Sequence, residues 1–115
     1  MQVVRSKDGT AIAYEVRGTG PALVYVTGAI CHRRLQPIID DVAVFAQSFT
    51  VFSYDRRGRG DSGDAASDDP QAEIDDLAAV IGAAGGSAYV YGHSSGAVLA
   101  LEAALACIRK ASSRC

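Results

Sequence analysis

One stretch restricts the fold more than any other: Ser87-Ala88-Tyr89-Val90-Tyr91-Gly92-His93-Ser94-Ser95-Gly96-Ala97-Val98-Leu99. Small and β-forming residues run into Gly-His-Ser-Ser-Gly, and an alanine-rich apolar run follows at once. This reads as strand, abrupt turn and helix, with Ser94 at the apex of a G-x-S-x-G turn. Glycines at 92 and 96 let strand and helix backbones approach where a Cβ would collide. A chain with twelve glycines in 115 residues produces such spacings readily, so the pattern takes its meaning from what surrounds it.

The surroundings alternate between strands and helices. Gln2 to Arg5 and Ala11 to Arg17 are β-forming runs joined across Asp8-Gly9, a strong hairpin signal. After the turn Gly18-Thr19-Gly20-Pro21, the continuous apolar run Ala22 to Val26 reads as a strand buried on both faces. From about Pro37 to Phe49 the residues Ile38, Ile39, Val42, Phe45 and Ala46 recur at helical spacing, with proline suited to the first turn. Thr50 to Tyr54 is the next strand, followed by a long polar loop from Asp55 to Asp69. Asp69-Pro70 caps and starts a helix whose buried stripe is Ile74, Leu77, Ala78 and Ile81. Glu73, Asp75 and Asp76 are expected to stay in water near its positive start, and Gly85-Gly86 stops it. In the last helix Val98, Leu101, Leu105 and Ile108 share one face, and the alanines predict burial all round. A hairpin followed by alternating strands and helices is an α/β plan in a single domain. The strand before Gly92 should lie at an uncovered sheet edge, which predicts self-association. The tail from Cys107 to Cys115 breaks the pattern by turning basic and polar, as if read out of frame.

Composition excludes other classes. A formal charge of −2 gives no reason to expect nucleic acid or a membrane surface as partner. The N-terminus lacks the apolar core of a signal peptide, and the apolar run from Ala97 to Ile108 is too short to span a bilayer, so a cytoplasmic protein is expected. Cys31, Cys107 and Cys115 are odd in number and lack C-x-x-C spacing, which indicates neither a disulfide framework nor a zinc site. Gly58-Arg59-Gly60-Asp61-Ser62-Gly63 spells G-x-G-x-x-G, yet charged residues precede it and Asp64 to Asp69 follow where a dinucleotide fingerprint needs a helix. Arg56, Arg57 and Arg59 interleave with Asp55, Asp61 and Asp64, which reads as a solvated, self-paired loop rather than an anion site. Cys31 has no adjacent base and reads as packing.

Three motifs then stand in order: Val24-Tyr25-Val26-Thr27-Gly28-Ala29, Asp55-Arg56-Arg57-Gly58-Arg59-Gly60-Asp61-Ser62, and Gly92 to Gly96. Over roughly residues 1 to 106 the chain resembles the N-terminal half of the α/β-hydrolase fold, and the second and third motifs are particularly similar to actinobacterial-type members. The resemblance implies a mostly parallel sheet with a β-hairpin start and helices on both faces, truncated before the remaining strands. It implies that Ser94 is the nucleophile, and that the backbone N–H groups of Ser95 and Ala29 are the oxyanion donors. Thr27-Gly28 stands where many relatives carry His-Gly. Residues 55 to 62 would form a tight structural loop, with Arg57 as a hydrogen-bonding brace. The implied reaction is hydrolysis of a small ester-like or acyl substrate through an acyl-enzyme, with no metal or organic cofactor.

A serine hydroxyl needs a base, and the base an orienting carboxylate, which in this fold follow the nucleophile. After Ser94 stand only Glu102 and no histidine; His93 lies inside the turn and His32 lies in the loop before it. A non-catalytic remnant acting by association is therefore the other reading.

Overall fold

The computed structural model describes residues 1–28, 31–63 and 69–109. Asp8-Gly9 closes the first hairpin as its chemistry predicts. Gly9 adopts φ 88°, and the Asp8 carboxylate accepts the Thr10 N–H at 3.0 Å. Strand β1 (Gln2–Arg5) thereby pairs antiparallel with β2 (Ala11–Arg17), placing Gln2 opposite Tyr14. Three further strands, β3 (Ala22–Val26), β4 (Thr50–Tyr54) and β5 (Tyr89–Gly92), extend the sheet in the order β1-β2-β4-β3-β5. β2 pairs antiparallel with β4, whereas β3 is parallel to both β4 and β5.

The alternation of side chains along β3 sorts two cores. Val24 and Val26 join Ile12, Tyr14, Phe52 and Tyr54 on one face, under Leu77 and Val80 of α2 (Pro70–Ala83) and Leu99 of α3 (Ser95–Arg109). Leu23, Tyr25 and Val51 meet Ile38 and Val42 of α1 (Gln36–Phe45) on the other. Each fully buried aliphatic side chain stabilises the fold by about 1.5–3 kcal/mol. The Tyr25 ring packs on Tyr91 of β5 and its hydroxyl donates to Asp41 at 2.6 Å, tying α1 to the sheet's centre.

Ala78 is exposed rather than part of the buried stripe of α2, where Val80 joins Leu77, and three further expectations require correction. The first helix ends at Phe45 rather than Phe49: the Phe45 carbonyl accepts the Ser48 and Phe49 N–H groups at 3.0 and 2.9 Å, closing a turn. Gly18, at φ 90°, lies against this turn, and a Cβ there would meet the Ala46 carbonyl oxygen at 2.6 Å. The chain must bend here to enter β4. Second, α3 is not buried all round, and the stripe expected to face the core faces outward. Val98, Leu101 and Leu105 are 57%, 62% and 40% exposed, while Leu99 and Ala103 take the inner face. An alanine-rich helix has several faces of similar apolarity, so packing rather than periodicity sets its rotation. Third, Asp76 is buried, for a reason given below.

β5 ends the sheet, and among the described residues its ladder partner is β3. No helix among them is long and apolar enough to cross a membrane.

Candidate active site

β3 and β5 end side by side, with Val26 opposite Gly92. Between the end of β5 and the start of α3 only His93 and Ser94 are available to reverse the chain. Ser94 accordingly sits at φ 57°, the one non-glycine residue at positive φ among those described. Such a conformation costs a β-carbon residue about 1–2 kcal/mol. Three hydrogen bonds hold it: His93 N–H to the Val26 carbonyl at 3.1 Å, Gly96 N–H to the His93 carbonyl at 2.9 Å, and Ala97 N–H to the Ser94 carbonyl at 2.9 Å. The two glycines are required by proximity. A Cβ on Gly92 would meet Ala97 N at 2.5 Å, and one on Gly96 would meet the Thr27 carbonyl oxygen at 2.6 Å. The result is an exposed Ser94 side chain at the mouth of a helix whose first N–H, that of Ser95, points away from the helix's own carbonyls.

The loop after β3 faces this turn. A Cβ on Gly28 would have the Ser94 Cβ at 3.7 Å and the Cys31 Sγ at 3.8 Å, so both side chains border one small space. Ala29, the other expected oxyanion donor, lies outside the described residues. Thr27 is fully buried and its hydroxyl has no hydrogen-bond partner among the described residues. Arg33 anchors the far end of this loop, and the sequence reading missed it. Its backbone N–H donates to Asp55 Oδ1 at 2.8 Å, its Nη1 donates to Asp55 Oδ2, and its Nε donates to Glu15 at 3.0 Å.

The motif at 55–62 is exposed only at Gly58, Gly60 and Asp61, and Asp55, Arg56 and Arg57 are buried and paired with side chains outside it rather than with each other, which corrects the expectation from its interleaved charges; Asp64 lies outside the described residues. Asp55 is fully buried, receiving Arg33 and the Asp61 N–H at 2.9 Å. Arg56 forms a two-pronged pair with Glu73 of α2 at 2.7 and 2.8 Å. Arg57 does the same with Asp76 at 2.6 Å on each prong, and reaches Asp8 of the hairpin at 3.0 Å. Asp76 is therefore not a solvated helix-start charge; it lies one helical turn inward, under the loop. Arg57 is a brace between hairpin and helix, the role the motif's family resemblance implied. No signal in the sequence joins positions 57 and 76, because the contact depends on how α2 docks. Asp69 does cap α2, its side chain accepting the Gln71 N–H at 2.9 Å.

These pairs set an acid limit on the fold. The Arg57 guanidinium, with Thr10, holds the Asp8 carboxyl well below the usual range. For Glu73, burial pushes the carboxyl up, but the Arg56 hydrogen bonds and charge outweigh it and hold it below the ordinary value. A carboxylate depressed in the folded state is protonated first in the unfolded chain. Its stabilisation is present above about pH 4 and disappears as pH falls through the folded value. The urea midpoint should thus fall steeply below pH 4, and Asp8→Asn should flatten that slope; an identical slope would show that Asp8 is not involved.

No acid or base is brought to Ser94 among the described residues. The His32 Nδ1 accepts the Arg34 N–H at 3.3 Å within its own loop, His93 is exposed, and Glu102 lies on the exposed side of α3. A cavity lined by Pro21, Ala22, Ser87, Ala88 and Tyr89 sits at the N-terminal ends of β3 and β5, the opposite end of the sheet from Ser94. What the site does hold is a strained serine at a helix start, a Ser95 N–H without a hydrogen-bond partner among the described residues, and Gly28 of the preceding loop close to Ser94.

That combination of sheet order, strand–serine–helix turn and preceding loops defines an α/β-hydrolase core. Residues 31–113 match the alpha/beta hydrolase family, and the chain belongs to it. Among solved structures, it is similar to an alpha/beta hydrolase from Sphaerobacter thermophilus DSM 20745, with 51% identity and a TM-score of 0.86 over 91% of this chain and 40% of that one. It is similar to the esterase RhEst1 from Rhodococcus sp. ECU1013, with 29% identity and a TM-score of 0.78 over 91% and 40%. It is also similar to an N-formylmaleamic acid deformylase from Pseudomonas putida S16, with 29% identity and a TM-score of 0.77 over 96% and 42%. The chain thus spans about 40% of the length of these relatives and corresponds to the N-terminal part of the family's core. No curated protein sequence matches it.

Proposed function

We propose that this chain carries the nucleophile and oxyanion side of a serine-dependent acyl hydrolase. Ser94 would attack the carbonyl of a small ester-like or acyl substrate to give an acyl-enzyme, and the N–H groups of Ser95 and Ala29 would stabilise the oxyanion. The observation that carries this is the strained, exposed Ser94 at φ 57° immediately before a helix start. Strained backbone of this kind persists only where the surrounding structure holds it, and it clusters at functional sites. The esterase and deformylase relatives act on bonds of this class, which supports acyl chemistry, and none of the assigned groups calls for a metal or organic cofactor. Neither a histidine nor a second carboxylate besides Glu102 follows Ser94 within the 115 residues. The chain by itself should therefore react slowly, at about 10⁻⁴ or less of the rate of a complete triad.

The test is covalent labelling by a fluorophosphonate, with the Sphaerobacter thermophilus relative as the positive control. Slow labelling that Ser94→Ala removes is the expected result. A labelled relative beside an unlabelled chain after prolonged incubation would refute the nucleophile assignment.

A second reading has its own observation. Tyr89 and Val90 of β5 and Val98, Leu101 and Leu105 of α3 are all exposed, 64% at Tyr89. An open strand edge beside an apolar helix face favours association over chemistry. Under that reading the chain sediments as a concentration-dependent oligomer, and a Val90→Lys, Leu101→Glu variant is monomeric; a wild type that is monomeric at all concentrations excludes it.

A further inference from the structure

We infer that Arg56 is a positioning residue that holds the nucleophile turn and the loop facing it as one unit; this rests on the reading of Ser94 given above. Arg56 Nη1 donates to the Thr27 carbonyl at 3.2 Å and to Ser95 Oγ at 3.0 Å. Thr27 is the last residue before Gly28, and Ser95 carries the helix-start N–H. One nitrogen therefore touches both sides of the space in front of Ser94, from behind. Its direction is set by the rest of the guanidinium, whose Nε and Nη2 grip the Glu73 carboxylate at 2.7 and 2.8 Å. A planar fork held at two corners has little freedom at the third. The side chain is 6% exposed, so water does not compete for these bonds.

The pair is a poor way to gain stability, because desolvating two charges cancels most of their attraction. What it supplies is direction. The Arg56 contacts link β3's end, α2 and α3's start, and the backbone bond from His93 N–H to the Val26 carbonyl closes the same loop of contacts at 3.1 Å. Among the described residues the hydrogen-bond partners of Arg56 are Glu73, the Thr27 carbonyl and Ser95 Oγ, and Ser94 Oγ is not one of them.

The test uses the whole chain as Arg56→Gln, Arg56→Lys, Ser95→Ala and Glu73→Gln variants, with two measurements. The first is fluorophosphonate labelling of Ser94, resolved into a maximal rate and a half-saturating concentration. A charge-assisted hydrogen bond is worth about 1.5–3 kcal/mol, so losing the Nη1 contacts in Arg56→Gln should lower the maximal rate about ten-fold or more and leave half-saturation within about two-fold. Arg56→Gln combined with Ser95→Ala should be little slower than Arg56→Gln alone, since both remove the same link. The second measurement is amide exchange of His93, which needs no reactivity. Exchange should accelerate about ten-fold in Arg56→Gln while the Val24 and Phe52 amides are unchanged. Glu73→Gln keeps one of the two bonds to the fork and leaves both Nη1 acceptors in place, so His93 exchange should accelerate less than in Arg56→Gln.

Equal effects of Glu73→Gln and Arg56→Gln on His93 would mean a merely structural pair and would overturn the inference. So would unchanged exchange and labelling in Arg56→Gln. An unlabelled wild type with the expected exchange pattern would refute the Ser94 assignment while supporting the Arg56 linkage. Should Arg56→Gln not fold, Arg56→Lys, which keeps a charge beside Glu73 but spans fewer acceptors, carries the same comparison.

Discussion

Gly96→Ala is expected to destabilise the fold strongly, although glycine to alanine within a helix ordinarily stabilises by about 1 kcal/mol. Gly96 lies in the first turn of α3, buried, and an added Cβ would meet the Thr27 carbonyl oxygen at 2.6 Å and the Val26 carbonyl carbon at 2.9 Å. Those atoms are backbone at the end of β3, which is held between β4 and β5. Relief requires α3 to lift from β3, which also breaks the His93–Val26 bond and exposes Leu99. Overpacking of this kind costs about 3 kcal/mol or more, a large part of a total stability of about 5–15 kcal/mol. Gly82, near the end of α2, provides the contrast, since a Cβ there would have nothing within 4 Å. Gly82→Ala should raise stability by about 0.5–1 kcal/mol. Urea unfolding of the two variants should therefore move the midpoint in opposite directions; a mild Gly96→Ala would mean that strand and helix are not in close contact at the turn.

The second large effect is expected at Asp76. Its side chain is 2% exposed and pairs with an Arg57 side chain that is 3% exposed. Removing one partner of a buried pair leaves the other charge without full compensation, at a cost of about 3–5 kcal/mol. Asp8 remains as a partner for Arg57, but it is half exposed and more distant at 3.0 Å. Asp76→Ala should therefore lose about 3 kcal/mol or more by urea unfolding. Replacing both partners by apolar residues, Arg57→Met with Asp76→Leu, should restore most of that loss. If the double variant were as unstable as the single one, the pair would be contributing attraction rather than avoiding an uncompensated charge.

These two sites show which parts of the fold the sequence made legible. The hairpin, all five strands and the start of α2 follow from local chemistry: Asp8-Gly9, runs of β-formers, and Asp69-Pro70. The turn at Ser94 was legible for the same reason, because two glycines at fixed spacing state that backbones meet there. What could not be read was set by docking. The outward stripe of α3 has the same periodicity as a core stripe, and only the position of β3 and α2 decides which face turns in. Arg33, Arg56 and Asp76 look like ordinary surface charges in polar loops and near the acidic start of a helix. Their partners lie on other elements, at separations that no local pattern encodes. The family motif pointed to Arg57 as a brace, yet its partner Asp76 emerged only with the fold.

The central claim is that Ser94 is a nucleophile position, and acyl transfer tests it most directly. The chain is incubated with p-nitrophenyl butyrate, quenched in acid, digested, and the butyryl group is located by peptide mapping. Butyryl on Ser94, absent in Ser94→Ala, is the predicted result. Butyryl on Cys31, whose sulfur borders the same space in front of Gly28, or no butyryl while the Sphaerobacter thermophilus relative is acylated, would contradict it.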